Sequence, residues 1–532
     1  MSREKLEKIY NPASIERKWY NHWMEKDYFS ADPKSEKEPY TIVIPPPNVT
    51  GMLTVGHVLN NTIQDILIRK ARMEGKEACW IPGTDHASIA TETKVVGMLQ
   101  EKGINKQDLS REEFLKYAWD WKAKYGGIII EQLKRLGCSC DWNRERFTMD
   151  DGYTKAVLTA FVKLYEKGYI YKGHRLVNWC PISKSAISDE EVIHKEKNGS
   201  LWYFRYPIKD SSDYVVVATT RPETMLGDTA VAINPDDERY QHLIGQYIIL
   251  PIVGREIPII ADKYVDPQFG TGCVKVTPAH DPNDFQMGER HDLEFINIMN
   301  DDASMNSNVP DKYIGFSREH ARKEIVKELE KEGFLEKRED YQTKIGYSER
   351  GQVPIEFYMS EQWFMKMDEL IKPAMDAVNK EKINFYPKHW SKTYNHWLSN
   401  IKDWCISRQL LWGHQIPVWY HKDDKTKIHV SINEPSDSEN WVRDTDVLDT
   451  WASSWIWPMG VHAWPEEDEG LKKFYPTNTL VTGPDIIFFW VARMIMSGYE
   501  FMGELPFKDV YFTSILRDDT GQKLSKSLGN SP

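Results

Sequence analysis

The spacing of apolar residues changes character twice along the chain. Residues 1–38 are polar and charged, with Ile15, Trp19, Trp23 and Met24 at helical intervals, which predicts an amphipathic lead-in helix. Tyr40-Thr41-Ile42-Val43-Ile44 is a continuous apolar run stopped by Pro45-Pro46-Pro47, the pattern of a buried strand. Val58 to Met73 then reads as a helix with Ile63, Ile66 and Leu67 on its apolar face, and strand, Gly/Pro turn and helix make half of a βαβ unit. A second helical region covers 111–137. From about residue 200 the runs shorten: Val215–Ala218, Ala230–Ile233, Tyr247–Ile252 and Ile257–Ile260 are separated by Gly, Pro and Asp, which predicts a compact β-rich module closed by a charged helix over 317–333. From about 395 the aromatic-rich texture returns. Leu480-Val481, Gly483 and a helix over 485–498 repeat the strand–turn–helix pattern, and 422–440 reads as an exposed loop. The expected fold is an α/β core interrupted by a β-rich insertion.

Composition narrows the class. The chain has 532 residues, 41% apolar, 12% aromatic and 28% charged, the balance of a folded protein of three or four domains. Its 20 Trp suggest pockets for planar or apolar ligands. A net charge of −12 argues against a uniformly basic nucleic-acid binder and leaves room for local basic patches. The N-terminus lacks the apolar core of a signal peptide, and the longest apolar stretch, 479–499, is broken by Asp485 and Arg493, so neither secretion nor a membrane span is expected. The six Cys are scattered without a CxxC, which fits reduced thiols in a cytoplasmic protein and disfavours a Cys-ligated zinc site.

Two clusters at opposite ends of the chain carry chemistry. Pro45–His57 contains Thr54-Val55-Gly56-His57 at a helix start, where glycine lets a ligand approach the backbone and the helix N-terminus favours anions. Lys523-Leu524-Ser525-Lys526-Ser527, flanked by Gly521 and Gly529, puts two cations where they can clamp a polyphosphate. Each alone is commonplace: a glycine turn with a surface histidine, and a solvated basic loop.

Together they resemble the two signatures of class I aminoacyl-tRNA synthetases, His-x-Gly-His and Lys-Met-Ser-Lys-Ser. Pro45–Gly51, Gly83-Thr84-Asp85-His86-Ala87, Trp404–Leu410, Trp412-Gly413-His414, Asp446–Trp451 and Asp485–Arg493 are similar to the valine-specific branch of that family, from about residue 10 to the last. The isoleucine and leucine branches differ in the opening segment and around Asp85. The resemblance implies a Rossmann-like parallel-sheet catalytic core split by a β-rich editing-domain insertion. Its divisions are a lead-in helix (1–38), a first catalytic half with the start of the connective insertion (39–195), an editing domain (196–345), and the return with the second catalytic half (346–532). It implies a monomer that joins valine to tRNA(Val) through valyl-adenylate, with ATP as substrate and Mg²⁺ accompanying it. Gly56, His57, Lys523, Ser525 and Lys526 are then catalytic. Pro46, Asn48, Asp85, Trp451 and Trp490 would hold valine, with Asp85 on its ammonium. Thr54, Gly56, His57, Gly483, Asp485, Lys523 and Lys526 would hold ATP.

Three departures stand out. Thr54 replaces the first signature His and Leu524 the signature Met. The chain also stops at Pro532, where the family continues into an anticodon-binding domain, so a truncated form is expected. The zinc ribbons of the family look degraded at Cys180-Pro181-Ile182-Ser183 and Tyr347-Ser348-Glu349-Arg350, and no zinc is expected there.

Within the insertion, Thr219–Thr224 and Gly270–Phe285 resemble the family's proofreading site. The physical need is clear, because threonine is nearly isosteric with valine and an apolar pocket rejects an added hydroxyl only weakly. The resemblance assigns Asp281 to the amino group of a mischarged residue, Lys275, Thr277 and Asp284 to a polar pocket, and Arg221 and Thr224 to the terminal adenosine. Turn formation by Asp and Pro is the plainer role for the 278–284 segment. Two other functions compete with valine ligation: an isoleucine-type synthetase, and a catalytically impaired fragment that binds tRNA or edits.

Overall fold

The computed structural model describes residues 8–524 and 530–531 and divides into two compact units, 1–171 with 363–532, and 172–362.

The first unit is built on parallel strands. Pro39–Val43 pairs in parallel with Glu77–Ile81, and Phe507–Phe512 lies between Asn384–Tyr386 and Thr477–Thr482, parallel to both. The two pieces meet edge to edge through side chains: Asn478 Oδ1 accepts the Thr41 N–H at 2.7 Å, and the Tyr40 and Thr479 hydroxyls lie 3.1 Å apart. All five strands are short, and Ile42, Val43, Trp80, Ile81, Leu480, Phe507 and Val510 join one core, as continuous apolar runs in a parallel sheet should.

Helix Val55–Met73 follows the first strand. Its buried face is Asn61, Gln64, Ile68 and Ala71, not the Ile63, Ile66 and Leu67 expected from hydrophobicity. Ile66 is 59% exposed. Gln64 tolerates burial because it is paired on both sides, with Trp80 Nε1 donating to its Oε1 at 2.9 Å and its Nε2 donating to Asn60 Oδ1 at 2.6 Å, while Asn61 is paired only through Nδ2, which donates to the His57 carbonyl at 2.8 Å and leaves its buried Oδ1 without a partner. The lead-in helix spans Pro12–Glu25, capped by Asn11. Ile15 and Trp19 face solvent, and Tyr20 is the residue it buries, donating to the Cys138 carbonyl at 2.7 Å. The helix expected over 485–498 is three pieces: a 3₁₀ turn at Pro484–Ile486, a π-turn over Ile487–Ala492 and an α-helix at Arg493–Met502. Within the π-turn, three successive aromatics each engage a different neighbour: Phe488 stacks on Trp397, Phe489 on Trp451, and Trp490 donates to the Ser454 carbonyl. The expected loop 422–440 contains a strand, Ile428–Val430, paired antiparallel with Val418–His421, whose other edge carries Trp441–Arg443.

The second unit holds the short β-runs. Ala230–Ile233 lies between Glu256–Ala261, parallel to it, and Cys273–Val276, antiparallel; Tyr247–Ile249 completes this mixed sheet. A second, antiparallel sheet sets the long Val192–Pro207 strand between Leu335–Ser348 and Tyr214–Thr219. Phe204, Val217, Val231, Ile233 and Ile259 share its core with Ala321, Ile325 and Leu329 of helix Arg318–Lys331. No helix among the described residues is long and apolar enough to cross a membrane.

Candidate active site

The first cluster sits where the parallel strands Pro39–Val43 and Thr477–Thr482 end. Asn60, on the first turns of the helix that follows the earlier strand, donates to the Val481 carbonyl at 3.1 Å, which brings both strand ends to the same side. Crevices beyond such strand ends, where the connections diverge, are the usual ligand sites of open α/β sheets.

Two loops define one wall. After Ile44, whose carbonyl accepts the Trp457 indole N–H at 2.8 Å, the proline-rich segment runs beside Gly83–Asp85. The Asp85 N–H reaches the Pro47 carbonyl at 3.0 Å and the Val49 N–H reaches the Asp85 carbonyl at 3.1 Å, so Asn48 and Asp85 are neighbours. Asn48 is exposed and Asp85 is 4% exposed. Asp85 Oδ1 accepts the Ala87 N–H at 2.6 Å, and Ala87 holds φ 51°, a left-handed conformation costly for a residue with a Cβ. Burial pushes the Asp85 carboxyl up to about 7, against the Ala87 hydrogen bond and with some help from the Asp449 charge. His86 is buried behind it. Its Nδ1 lies 2.7 Å from the Thr148 hydroxyl and its Nε2 3.0 Å from that of Ser88, and burial, with the His414 ring 5.1 Å away, holds it well below the ordinary imidazole range. Pro46 is half-buried. Trp490 lies inside the core, while Trp451 packs at its edge, stacked on Phe489 at 5.2 Å and 26°. Sequence reasoning missed Thr148 and Phe489. An aromatic directly before Trp490 was the available signal for Phe489, and nothing marked Thr148.

The other wall is the helix start. Thr54 is the N-cap residue and His57 the third helical position. His57 Nδ1 accepts the Thr54 N–H at 3.1 Å and lies 2.8 Å from the Thr54 hydroxyl. With Nδ1 accepting, the neutral ring carries its proton on Nε2. Thr54 thus orients His57. Gly56 has no positive φ, and a Cβ there would find Thr54 Oγ1 at 3.7 Å as its nearest neighbour, ordinary contact. The fold itself does not demand glycine at this position. A Cβ on Gly483, whose φ is −78°, would lie 2.3 Å from Asp485 Oδ1, the tip of an exposed side chain that can move aside, so this turn does not demand glycine either. Asp485 and Lys523 form an ion pair at 2.5 Å, both substantially exposed. The resemblance gave these two residues separate tasks, and here they neutralise each other. Ser525 and Lys526 lie outside the described residues.

In the second unit the residues singled out from 219–224 and 270–285 form two groups. Arg221 enters an ionic network: it pairs with Glu356, sits 3.4 Å from Glu223 and donates to the His280 carbonyl at 3.1 Å, while Glu356 also takes Arg318 at 2.6 Å and Glu223 takes Arg322 at 2.7 Å. Burial works against the Arg221 charge, and Glu356 and Glu223 more than offset it. Thr224 Oγ1 donates to the Arg221 carbonyl at 2.9 Å. Asp281 caps helix Pro282–Arg290, its Oδ1 accepting the Asn283 N–H at 2.8 Å and the Asp284 N–H at 3.3 Å. The second group is Lys275, Thr277 and Asp284, gathered by Asp228, which sequence reasoning missed. Asp228 accepts from Lys275 Nζ at 3.1 Å, Thr277 Oγ1 at 2.6 Å and the Tyr206 hydroxyl at 2.8 Å. Asp284 Oδ2 accepts the Thr277 N–H at 2.8 Å, and burial pushes its carboxyl up to about 7, with Lys275 pulling the other way. Cys180 lies against the Ser348–Gly351 turn, where a Cβ on Gly351 would fall 2.6 Å from its Sγ. Among the described residues no group of three or more His, Cys, Asp or Glu side chains is arranged to hold a metal ion.

Comparison with known proteins adds an independent line. A model of the family "tRNA synthetases class I (I, L, M and V)" matches residues 18–532. The chain is 55% identical to a valine--tRNA ligase of Porphyromonas gingivalis, over 98% of this chain and 61% of that protein. It is 56% identical to one of Bacteroides fragilis and 55% identical to one of Thermotoga maritima, with 98% of this chain and 61% and 60% of those proteins covered. The chain therefore spans about three-fifths of the length of these relatives. Among solved structures, it is similar to the agnB2 LeuRS of Agrobacterium radiobacter K84 in a ternary complex with tRNA and LeuAMS, at TM-score 0.52 and 18% identity, covering 98% of this chain and 70% of that one. That likeness is one of fold.

Proposed function

Since the chain belongs to the class I tRNA synthetases of the isoleucine, leucine, methionine and valine group, we propose that it activates valine with ATP and passes the valyl group to tRNA(Val), hydrolysing threonyl esters made in error. The observation that carries this reading is the convergence at one strand-end crevice of the Asn48–Asp85 pair, the Gly56–His57 helix start, and Gly483, Asp485 and Lys523 from the far end of the chain.

Each part has a task that its geometry suits. Ionised Asp85 takes the valine ammonium, with Asn48 beside it, and this fixes the carboxylate for in-line attack on the α-phosphorus. Pro46 and Trp451 offer apolar surface to the branched side chain, with Trp490 as the rigid support behind. The open backbone at Gly56 admits the nucleotide to the helix N-terminus, where unpaired N–H groups and the helix dipole favour phosphate. His57, held by Thr54 with its proton on Nε2, donates to a phosphate oxygen. For Asp485 to reach the ribose hydroxyls and Lys523 the phosphates, their mutual ion pair opens. That costs little for exposed partners, and the freed ammonium is then available to the leaving pyrophosphate. The reaction calls mainly for positioning and charge neutralisation. Mg²⁺ accompanying ATP would add further charge neutralisation. In the second unit the Lys275–Thr277–Asp284 group offers a polar receptor for a side-chain hydroxyl. The six cysteines form no disulfide and five are buried, which suits a reducing cytoplasm.

Amino-acid-dependent exchange of pyrophosphate into ATP tests the reading. Valine should drive exchange and isoleucine should not, and Asp85→Asn should abolish it. Exchange driven by isoleucine, or by neither amino acid, would refute valine activation.

A further inference from the structure

We propose that Trp412 is a positioning residue for the substrate ammonium: it holds the strained backbone at Ala87 on which the direction of the Asp85 carboxylate depends. This rests on the valine-activation reading above and gives a task to the Trp412-Gly413-His414 motif, which that reading leaves without one.

Ala87 departs twice from what a helix start requires. Alanine is among the weakest N-cap residues, and the cap position normally has extended backbone. Ala87 makes no side-chain cap for helix Ser88–Glu101 and sits at φ 51° and ψ 51°. That left-handed conformation persists in a residue with a Cβ only where its surroundings impose it. The Ala87 N–H so placed donates to Asp85 Oδ1 at 2.6 Å and fixes the carboxylate.

The imposing contacts come from both sides of Ala87. Before it, the His86 N–H donates to Thr148 Oγ1 at 2.9 Å, and the His86 carbonyl accepts the Trp412 indole N–H at 2.8 Å. After it, Glu92 is buried in the helix, and its Oε2 accepts the Leu411 N–H at 2.8 Å and the Trp412 N–H at 2.9 Å. Trp412 thus fastens its ring to the peptide before Ala87 and its backbone to the helix that follows. Gly413 lets the chain pass this close: its φ is 151°, and a Cβ there would lie 3.0 Å from Val447 Cγ2 and 3.2 Å from Ser88 Oγ. The same segment also holds the side-chain end of the pocket, because the Leu448 N–H donates to the His414 carbonyl at 2.8 Å, shortly before Trp451. Residues 411–414 therefore space the ammonium end from the side-chain end. Trp412 is itself fully buried, so it acts on valine only through Asp85.

The test uses valine-dependent pyrophosphate exchange and two inhibitors that each lack one end of valine. Valinol keeps the ammonium and 3-methylbutanoate keeps the carboxylate. Trp412→Phe retains a ring and removes the indole N–H. It should raise KM for valine and Ki for valinol about tenfold, the worth of a hydrogen bond to a charged group, with KM for ATP and Ki for 3-methylbutanoate changed less than about twofold. Adding Ala87→Gly should restore KM for valine to within about threefold of the unsubstituted chain, because glycine adopts the left-handed conformation without support. Glu92→Gln leaves the ring in place and weakens its two backbone bonds. It should move the same two constants the same way by about threefold, and it carries the test if Trp412→Phe does not fold. Equal rises in all four constants would mean that Trp412 merely supports the fold. That result, unchanged constants for valine and valinol, or no recovery with Ala87→Gly would each overturn the proposal. Valinol inhibition that survives Asp85→Asn would instead sink the ammonium assignment beneath it.

Discussion

Gly56→Ala separates what the fold needs from what a ligand needs. The added Cβ meets nothing closer than Thr54 Oγ1 at 3.7 Å, and the residue is the second position of helix Val55–Met73 with ordinary helical backbone. Glycine costs a helix roughly 0.5–1 kcal/mol relative to alanine. At the first turn, about 0.5 kcal/mol of stabilisation is expected, which in a unit of this size raises Tm by less than about 1 °C. The nucleotide should respond the other way. The methyl stands over the helix N-terminus, where phosphate would sit against the backbone. Pushing the phosphate out of reach of one charged hydrogen bond forfeits about 1.5–3 kcal/mol, a rise of roughly tenfold to a hundredfold in KM for ATP. The assay is valine-dependent pyrophosphate exchange over a range of ATP concentrations, beside a thermal melt of the same preparation. A variant that melts no lower and loses ATP affinity fits the account. Unchanged ATP kinetics would show that this face is not used by the nucleotide, and a lower Tm would show that the space is not free.

Three further outcomes follow from the geometry. Burial raises the Asp85 carboxyl to about 7, so the ionised form that binds an ammonium is the minority below that pH; KM for valine should fall as pH rises from 5.5 to 8, changing about tenfold per unit below 7, and a flat profile would contradict this assignment. Asp485→Asn breaks an exposed ion pair, so stability should change by less than about 1 kcal/mol while KM for ATP rises about tenfold through the lost ribose acceptor, read by the same melt and exchange assays. Glu356→Gln strips the shared buried partner from Arg221 and Arg318, and the 172–362 unit should lose about 3–5 kcal/mol, seen as loss of amide exchange protection there with valine-dependent exchange retained.

What could be read in the chain depended on the range of the interactions. Ile42 to Ile44 and Val231 to Ile233 declare strands locally, because burial on both faces requires continuous apolar residues. Pro45–Gly51 and Gly83–Ala87 could be recognised as motifs, but only coordinates show Asn48 and Asp85 side by side. Hydropathy misjudged the helix at 55–73, since Asn61 and Gln64 are buried with bonds to Asn60 and the His57 carbonyl one turn earlier and, for Gln64, to Trp80 of the neighbouring strand. The turn at 487–492 has a helical pattern in sequence but winds with more residues per turn, and its aromatics meet Trp397, Trp451 and Ser454 from other parts of the chain. Arg221 looked available to a ligand because its partner Glu356 is 135 residues away. Asp228 carried no motif at all, and only coordinates show Tyr206, Lys275 and Thr277 donating to it.

The central claim is that residues near both ends of the chain enclose one aminoacyl-adenylate. A crystal structure with the non-hydrolysable sulfamoyl analogue of valyl-adenylate tests it directly. The account predicts the ammonium on Asp85, the ribose at Gly483 and Asp485 with the Lys523 ion pair opened, and the sulfamoyl group near Gly56 and His57. An analogue bound elsewhere, or bound there with Asp485 and Lys523 still paired and away from it, would contradict the account.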